Sequence, residues 1–393
     1  MKLLYTSLFI IVAITIVYAS DLSTSIETFS NNLHKTISTD QNFIFSPFSA
    51  HSALSLAYEG AGGQTTISFQ KALDLPGPNA TAAGYKSLMD TLNSAKNVQL
   101  NIANKIYLQK DNKLNKDFRS IAQNYFDADV DITDFSKSAA AAEEINNWVK
   151  EKTQNKIDKL FDADSFDSDT QAVLLNAIYF KGNWLLPFRK EYTRPGKFYV
   201  SDDKFIMHPM MFQEAYFDYT ESEALGAKIV KMKYENERFA MTIILPNTKT
   251  GIADLEKKLS NFNLNTLKLG KTEEKVLLSL PKFKIESTLK MEDNLKEMGL
   301  GEIFTNAANF SNMIEGVQNL KIAKVIQKAF IEVNEEGAEA AAATGIETTV
   351  FSLGPPQPMF RADHPFMFYI TAELEDNITK LFLGKVVSPT YDE

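Results

Sequence analysis

The sequence predicts an α+β fold in one large domain, and three observations carry that prediction. Runs with strand periodicity at 97–109, 173–184, 320–333 and 381–387 fall in both halves of the chain. Runs with helical periodicity at 26–37 and 139–153 lie between them, so helices and strands are mixed along the chain. Length alone would allow two or three domains, but no Pro/Gly/Ser-rich linker, charge block or internal repeat divides residues 20–393. A chain of that size can fill a single substantial core.

Taken in order, residues 1–19 read as a cleaved secretory signal: Lys2 precedes an apolar run from Leu8 to Val17, and Val17-Tyr18-Ala19 brings small residues to its end. The run is too short to span a bilayer, so the expected product is soluble and extracellular, starting at Ser20 or Asp21. Ile26, Phe29, Leu33 and Ile37 share one helix face. Residues 42–49 lead into a segment at 50–59, and Gly60-Ala61-Gly62-Gly63-Gln64-Thr65-Thr66 opens a further helix with a Thr cap. These glycines are not read as a phosphate cradle, because no Lys-Ser/Thr pair follows them. Val98, Leu100, Ile102, Ile106 and Leu108 alternate through 97–109. Residues 139–153 read as a helix capped by Ser138, with Ile145, Trp148, Val149 and Lys152 along one side.

Residues 173–184 are almost continuously apolar, as in a central strand covered on both faces. Asn176 interrupts them, and a buried amide must find hydrogen-bond partners. Residues 228–234 and 238–245 flank Glu235-Asn236-Glu237 as a hairpin; 276–285, 289–298 and 381–387 complete the pattern. In 320–333, Ala323, Val325, Ala329, Ile331 and Val333 share a face that only Gln327 breaks.

After Asn334 the character changes. Ala338, Ala340, Ala342, Thr344, Ile346, Thr348 and Val350 fall on one side of an extended chain, with Glu339 and Glu347 on the other. The consecutive alanines and the glycines 337 and 345 weaken β propensity, so this segment can be a strand without being obliged to be one. Gly354-Pro355-Pro356-Gln357-Pro358 cannot continue a ladder, and 360–370 begins a new apolar strand. An exposed loop of about twenty residues thus hangs between two firm strands, and loops of that length are usually functional or disordered.

Composition excludes several classes. A net charge of -9 and a pI near 5.2 argue against nucleic acid as a partner. Cysteine is absent, so no disulfide holds the chain and a zinc site would need scattered ligands. None of His34, His51, His208 and His364 sits in a metal or catalytic pair, and no Gly-x-Ser-x-Gly elbow occurs. The reading is a non-enzyme with no catalytic residue, no metal and no cofactor. Asn79-Ala80-Thr81, Asn309-Phe310-Ser311 and Asn377-Ile378-Thr379 are glycosylation sequons. No Lys/Arg stripe marks a heparin site.

The strand ending Glu332-Val333-Asn334-Glu335-Glu336-Gly337, its alanine-rich continuation, and the later block Asp363-His364-Pro365-Phe366 resemble the hinge, reactive-centre loop and distal signature of the serpins. The resemblance extends over essentially all of residues 20–393 and implies the serpin fold: three β-sheets, about nine helices and an exposed reactive-centre loop at about 335–359. It implies that 139–153 crosses the face of the main sheet and that Ser46 and Ser49 lie beneath it. It places Asn176 where the middle strands part and Trp184 near their top. Gln327 stands where a histidine is common, and Ala338 where Ser or Thr is usual.

The activity implied is inhibition of serine proteases by a secreted monomer. A protease attacks the loop as substrate, and the cleaved hinge segment Glu335, Glu336, Gly337, Ala338, Glu339, Ala340, Ala341, Ala342, Ala343 and Thr344 enters the main sheet as a strand. The family's usual spacing from Gly337 puts the reactive bond at Phe351–Ser352, with Leu353 a second candidate; Arg361 abuts the next strand. Phe351 implies chymotrypsin-like targets in a covalent acyl-enzyme complex. The chain is similar to arthropod haemolymph inhibitors that restrain innate immune cascades. The alternative is a non-inhibitory member acting as carrier or chaperone, against which the alanine run counts.

Overall fold

Strand pairing sorts the chain into three large sheets and one small ladder. The computed structural model describes residues 22–262, 266, 269–272, 274–316, 320–337, 357–374 and 377–391. In chain order they form α1 (residues 22–36), β1 (Phe43–Phe45), α2 (Pro47–Glu59), α3 (Gly63–Leu73), α4 (Pro78–Asn93), β2 (Val98–Gln109), β3 (Lys113–Leu114), α5 (Lys116–Phe126), β4 (Ala128–Thr133), α6 (Ser138–Lys152) and β5 (Ala172–Gly182). There follow β6 (Arg194–Tyr199), β7 (Phe205–Ala215), β8 (Asp218–Ser222), β9 (Ala227–Lys233), β10 (Phe239–Pro246), α7 (Ile252–Leu259), β11 (Gly270–Lys271), β12 (Val276–Pro281) and β13 (Phe283–Lys290). The last elements are α8 (Glu292–Leu295), β14 (Ile314–Glu315), β15 (Ile322–Val333), β16 (Met359–Arg361), β17 (Phe366–Leu374) and β18 (Asn377–Val386).

The sheets are seven-stranded (β1-β18-β17-β10-β9-β8-β11), four-stranded (β16-β12-β7-β6) and five-stranded (β13-β15-β5-β2-β4), with a two-stranded ladder β14-β3. Among the described residues there are eight α-helices and four sheets, against the three sheets and about nine helices expected, the fourth sheet being the two-residue ladder β14-β3. Helix α8 is short: after four residues it passes into a wider turn at Lys296–Leu300, where Gly299 has φ 92° and ends the α geometry.

The five-stranded sheet holds the buried amides Asn176 and Gln327. Its middle strands, β5 and β15, run parallel and are hydrogen-bonded to each other, while β13 and β2 flank them antiparallel. Both middle strands are covered on two sides, as their apolar runs predict. Leu174, Ile178, Val325 and Ala329 face the large core, whereas Val173, Leu175, Tyr179, Ile326 and Phe330 face a second apolar layer built with Ala141, Ala142, Ile145 and Val149 of α6. Helix α6 therefore lies across the sheet, as expected. At its edge, Lys105 of β2 pairs with Asp131 at 2.7 Å and sits 5.2 Å from the ring of Trp148.

Several local expectations are corrected. The run 276–285 is not one element: the chain divides at Lys282 into β12 and β13, which belong to different sheets, and Lys282 N donates to Pro209 O at 3.0 Å. The run 360–370 likewise divides at 362–365 into β16 and β17. Helix α3 has no Thr cap; Gly62 is its N-cap, and the Thr65 hydroxyl is taken by Glu302 at 2.6 Å. A side chain at Gly62 would meet Ser311 Oγ at 2.7 Å, which accounts for the glycine by close packing. Ser138 is the first residue of α6 and not its cap, its hydroxyl accepting from Phe166 N at 3.0 Å; Lys152 is exposed.

Candidate functional site

Three neighbouring strands carry a buried amide at one level of the five-stranded sheet. Gln327 of β15 is in register with Asn176 of β5, and Asn176 with Asn104 of β2. The three are 1%, 1% and 2% exposed. Buried amides of this kind must be satisfied, and these satisfy one another and the N-terminus of α2 below. Gln327 Nε2 donates to Asn176 Oδ1 at 2.6 Å and to Ser46 O at 2.9 Å, while Ser46 N donates to Gln327 Oε1 at 2.7 Å. Asn176 Nδ2 donates to Asn104 Oδ1 at 2.5 Å and lies against the carbonyl and hydroxyl of Ser49. Asn104 Nδ2 donates to Ser52 Oγ at 3.2 Å, and the Ser46 hydroxyl caps α2 by accepting from Ser49 N at 3.1 Å.

Ser46, Ser49, Asn176 and Gln327 are thus brought together beneath the centre of the sheet, and Trp184 is not among them. Asn104 and Ser52 complete the seam and were not anticipated. The signal for Asn104 is the same as for Asn176: it is the one polar member of the alternating set 98, 100, 102, 104, 106, 108.

Trp184 organises the second part of the site, where β15 ends. Its backbone N donates to Glu336 O at 3.0 Å and its Nε1 to Asn334 O at 3.0 Å, while Phe188 N donates to Glu335 O at 2.8 Å. The indole stacks on Tyr234, ring centres 4.5 Å apart. The hinge backbone is therefore fastened to the chain that continues β5. Glu335 is 5% exposed; its carboxylate meets Lys282 at 3.1 Å and accepts from Thr193 Oγ1 at 2.8 Å. Burial opposes its ionisation, but its own backbone N–H, Thr193 and Lys282 together hold it below the ordinary value of 4.5. Glu336 pairs with Lys190 at 2.5 Å. Gly337 has φ 82°, and a Cβ there would collide with Gly182 O and lie 2.6 Å from Trp184 N, so only glycine fits.

Of the anticipated hinge, Glu335, Glu336 and Gly337 are placed; Ala338, Glu339, Ala340, Ala341, Ala342, Ala343 and Thr344, and the bond candidates Phe351, Ser352 and Leu353, lie outside the described residues. The chain is described again from Gln357 and enters β16, where Arg361 pairs with Asp363 at 3.2 Å. His364 of the distal block bridges Asp363 and Pro246 O at 2.9 and 2.8 Å. Among the sequons, Asn79 is exposed in the first turn of α4, Asn309 is exposed beside a buried Phe310, and Asn377 is half-buried opposite Leu374. Among the described residues, no group of three or more His, Asp or Glu side chains could hold a metal ion, and no helix is long and apolar enough to cross a membrane.

Comparison with known proteins gives a consistent result. The family model described as "Serpin (serine protease inhibitor)" matches residues 24–389. Antichymotrypsin-2 of Bombyx mori is 38% identical over 349 residues, 88% of this chain and 91% of that protein. Alaserpin of Manduca sexta is 39% identical over 355 residues, 89% of this chain and 88% of that protein. The crystal structure of Serpin48 from the insect Tenebrio molitor matches with a TM-score of 0.85 at 33% identity, covering 94% of this chain and 99% of that one. A five-stranded sheet seamed with amides, a glycine hinge at its end, and these likenesses over nearly the whole length lead to one conclusion: the chain belongs to the serpin family and has the serpin fold.

Proposed function

We propose that this serpin is a secreted suicide-substrate inhibitor of serine proteases with chymotrypsin-like specificity, and is itself no catalyst. The observation that carries the reading is the parallel pairing of β5 with β15, together with the hinge that leaves β15 beside it. A segment turning back from Gly337 would run antiparallel to β15, and therefore also to β5. Inserted between them, it replaces one parallel ladder with two antiparallel ones, which are somewhat stronger per residue.

The protease's serine oxygen attacks the Phe351 carbonyl, the amide bond to Ser352 breaks, and an ester joins Phe351 to the protease. The serine proton passes through the protease's base to the new Ser352 amine. Before water can cleave the ester, the freed segment enters the sheet. From Glu335 to Phe351 are sixteen steps, about 50 Å at roughly 3.3 Å per residue, enough to carry the protease from pole to pole. Each ladder bond contributes about 0.5–1.5 kcal/mol net, and burial of Ile346 and Val350 about 1.5–3 kcal/mol each. The uncleaved form is then a kinetic trap. Alanines at 338, 340 and 342 fit beneath the neighbouring strands, and the seam of Gln327, Asn176, Asn104, Ser46 and Ser49 is where those strands part.

Specificity rests on Phe351, with Leu353 second. Residues 1–19 act as the signal, 20–393 form one monomeric domain, and Asn79, Asn377 and Asn309 are the glycan acceptors. The test is incubation with chymotrypsin and a denaturing gel. An SDS-stable adduct is expected, with intact mass fixing the cleaved bond; cleaved protein alone overturns the inhibitory reading. A carrier or chaperone would be cleaved without forming an adduct.

A further inference from the structure

The apolar side chains left exposed are not scattered. Eleven large ones are exposed among the described residues; seven of them fall between Leu185 and Tyr216, and an eighth is Met359. These belong to the β16-β12-β7-β6 sheet and to the chain that enters β6 and leaves β7. Against that sheet lies a groove of about 480 Å³ whose lining combines Tyr192, Phe212, Leu277 and Met359 with Arg194 and Arg361. Tyr192, Phe212 and Met359 are 49%, 41% and 53% exposed. Arg361 is partly neutralised by Asp363, but Arg194 donates only to the neutral Thr193 carbonyl, and among the described residues no carboxylate pairs with it. Concentrated exposed apolar surface with cations among its lining marks an interaction site.

We infer that this groove is a second docking surface for the target protease, one that takes an apolar side chain flanked by carboxylates at the rim of the protease's cleft. The inference rests on the inhibitory reading above. Position selects the protease as occupant, because Met359 and Arg361 are in the strand that receives the distal end of the reactive loop. Phe351 is eight residues from Met359, a span of at most about 28 Å. A protease domain of about 240 residues has a radius of gyration near 18 Å. A protease engaged at Phe351 is therefore held within reach of the groove, and a weak second contact gains from that high local concentration. The exposed guanidinium would chiefly speed encounter with an acidic partner.

Two chymotrypsin-like proteases serve as probes, one acidic and one basic around its active-site cleft. Each is used in active form for adduct formation and with its serine changed to alanine for non-covalent binding. Arg194→Glu should slow adduct formation with the acidic protease about tenfold, and Phe212→Ala should slow it severalfold. The adduct yield per inhibitor should not change, because hinge and seam are untouched. Arg194→Glu should also flatten the salt dependence of that rate and should not slow the basic protease. Rates within twofold of wild type for both variants, with the acidic protease, overturn the docking surface while leaving the inhibitory reading intact. If wild type forms no adduct at all, the inhibitory reading fails. The serine-to-alanine proteases then still report on the groove, since non-covalent binding that neither variant weakens overturns it.

Discussion

Gln327 and Asn176 meet amide to amide, Nε2 to Oδ1 at 2.6 Å, across the central parallel pair of strands and at one level of its register. This contact joins the two strands that must separate if a third is to enter. It lies in a chain of amides in which each group satisfies its neighbour, so removing one leaves others short of a partner.

Asn176→Ala should lower the stability of the uncleaved protein by about 1–3 kcal/mol, the cost of leaving buried amides unsatisfied. Urea denaturation measures it. A loss under about 0.5 kcal/mol would show that the seam contributes no net stability.

Gly337→Ala should unseat the hinge, because the added methyl carbon collides with the Gly182 carbonyl and the Trp184 amide, and the backbone is left-handed there. Loss of the Trp184 N to Glu336 O bond accompanies the clash. A loss of about 1–3 kcal/mol is expected from the strained conformation alone, read as a lower melting midpoint. An unchanged midpoint would contradict the fastening described.

Ala340→Pro should convert inhibitor to substrate. Proline donates no ladder hydrogen bond and would stall insertion early. On denaturing gels the adduct band should give way to cleaved protein; persistence of the adduct would argue against strand insertion as the trap.

His51 should impose an acid limit on stability. It is wholly buried against Tyr85 and the Leu73 carbonyl, and burial pushes it down from 6.5 to about 4 despite the bond to Leu73. The unfolded chain therefore binds a proton that the folded chain refuses between those two pH values. The contribution is complete above 6.5 and is lost as pH falls towards 4, on the order of 3 kcal/mol in all. Unfolding free energies of wild type and His51→Gln measured across pH 4–7 should diverge in slope there; parallel curves would refute it.

Much of the site could be read in the sequence because its residues break patterns. Asn176 and Gln327 each interrupt an apolar strand, and both lie in the seam. Asn104 breaks its own alternation in the same way, but the partner it meets is set by the pairing of β2 with β5, which the strand's own pattern does not encode. Trp184 could be placed near the top of the sheet but not assigned a bond, since its partners Asn334 and Glu336 are 150 residues or more away in the chain. The divisions at Lys282 and at 362–365 escaped because apolar periodicity runs through them; what changes there is the sheet to which the chain belongs. Ser138 and the threonines after Gly63 look like caps in isolation, and tertiary partners, Phe166 and Glu302, claim the hydroxyls of Ser138 and Thr65 instead.

The separation of buried side chains into two clusters has a mechanical consequence. The sixteen residues of the smaller cluster are distinct from those of the larger. Helix α6 is thus laid on the sheet like a cover on its own gasket. Lifting it would uncover that thin layer first, against the grip of Lys105 at Trp148 and of Glu144 on Thr133.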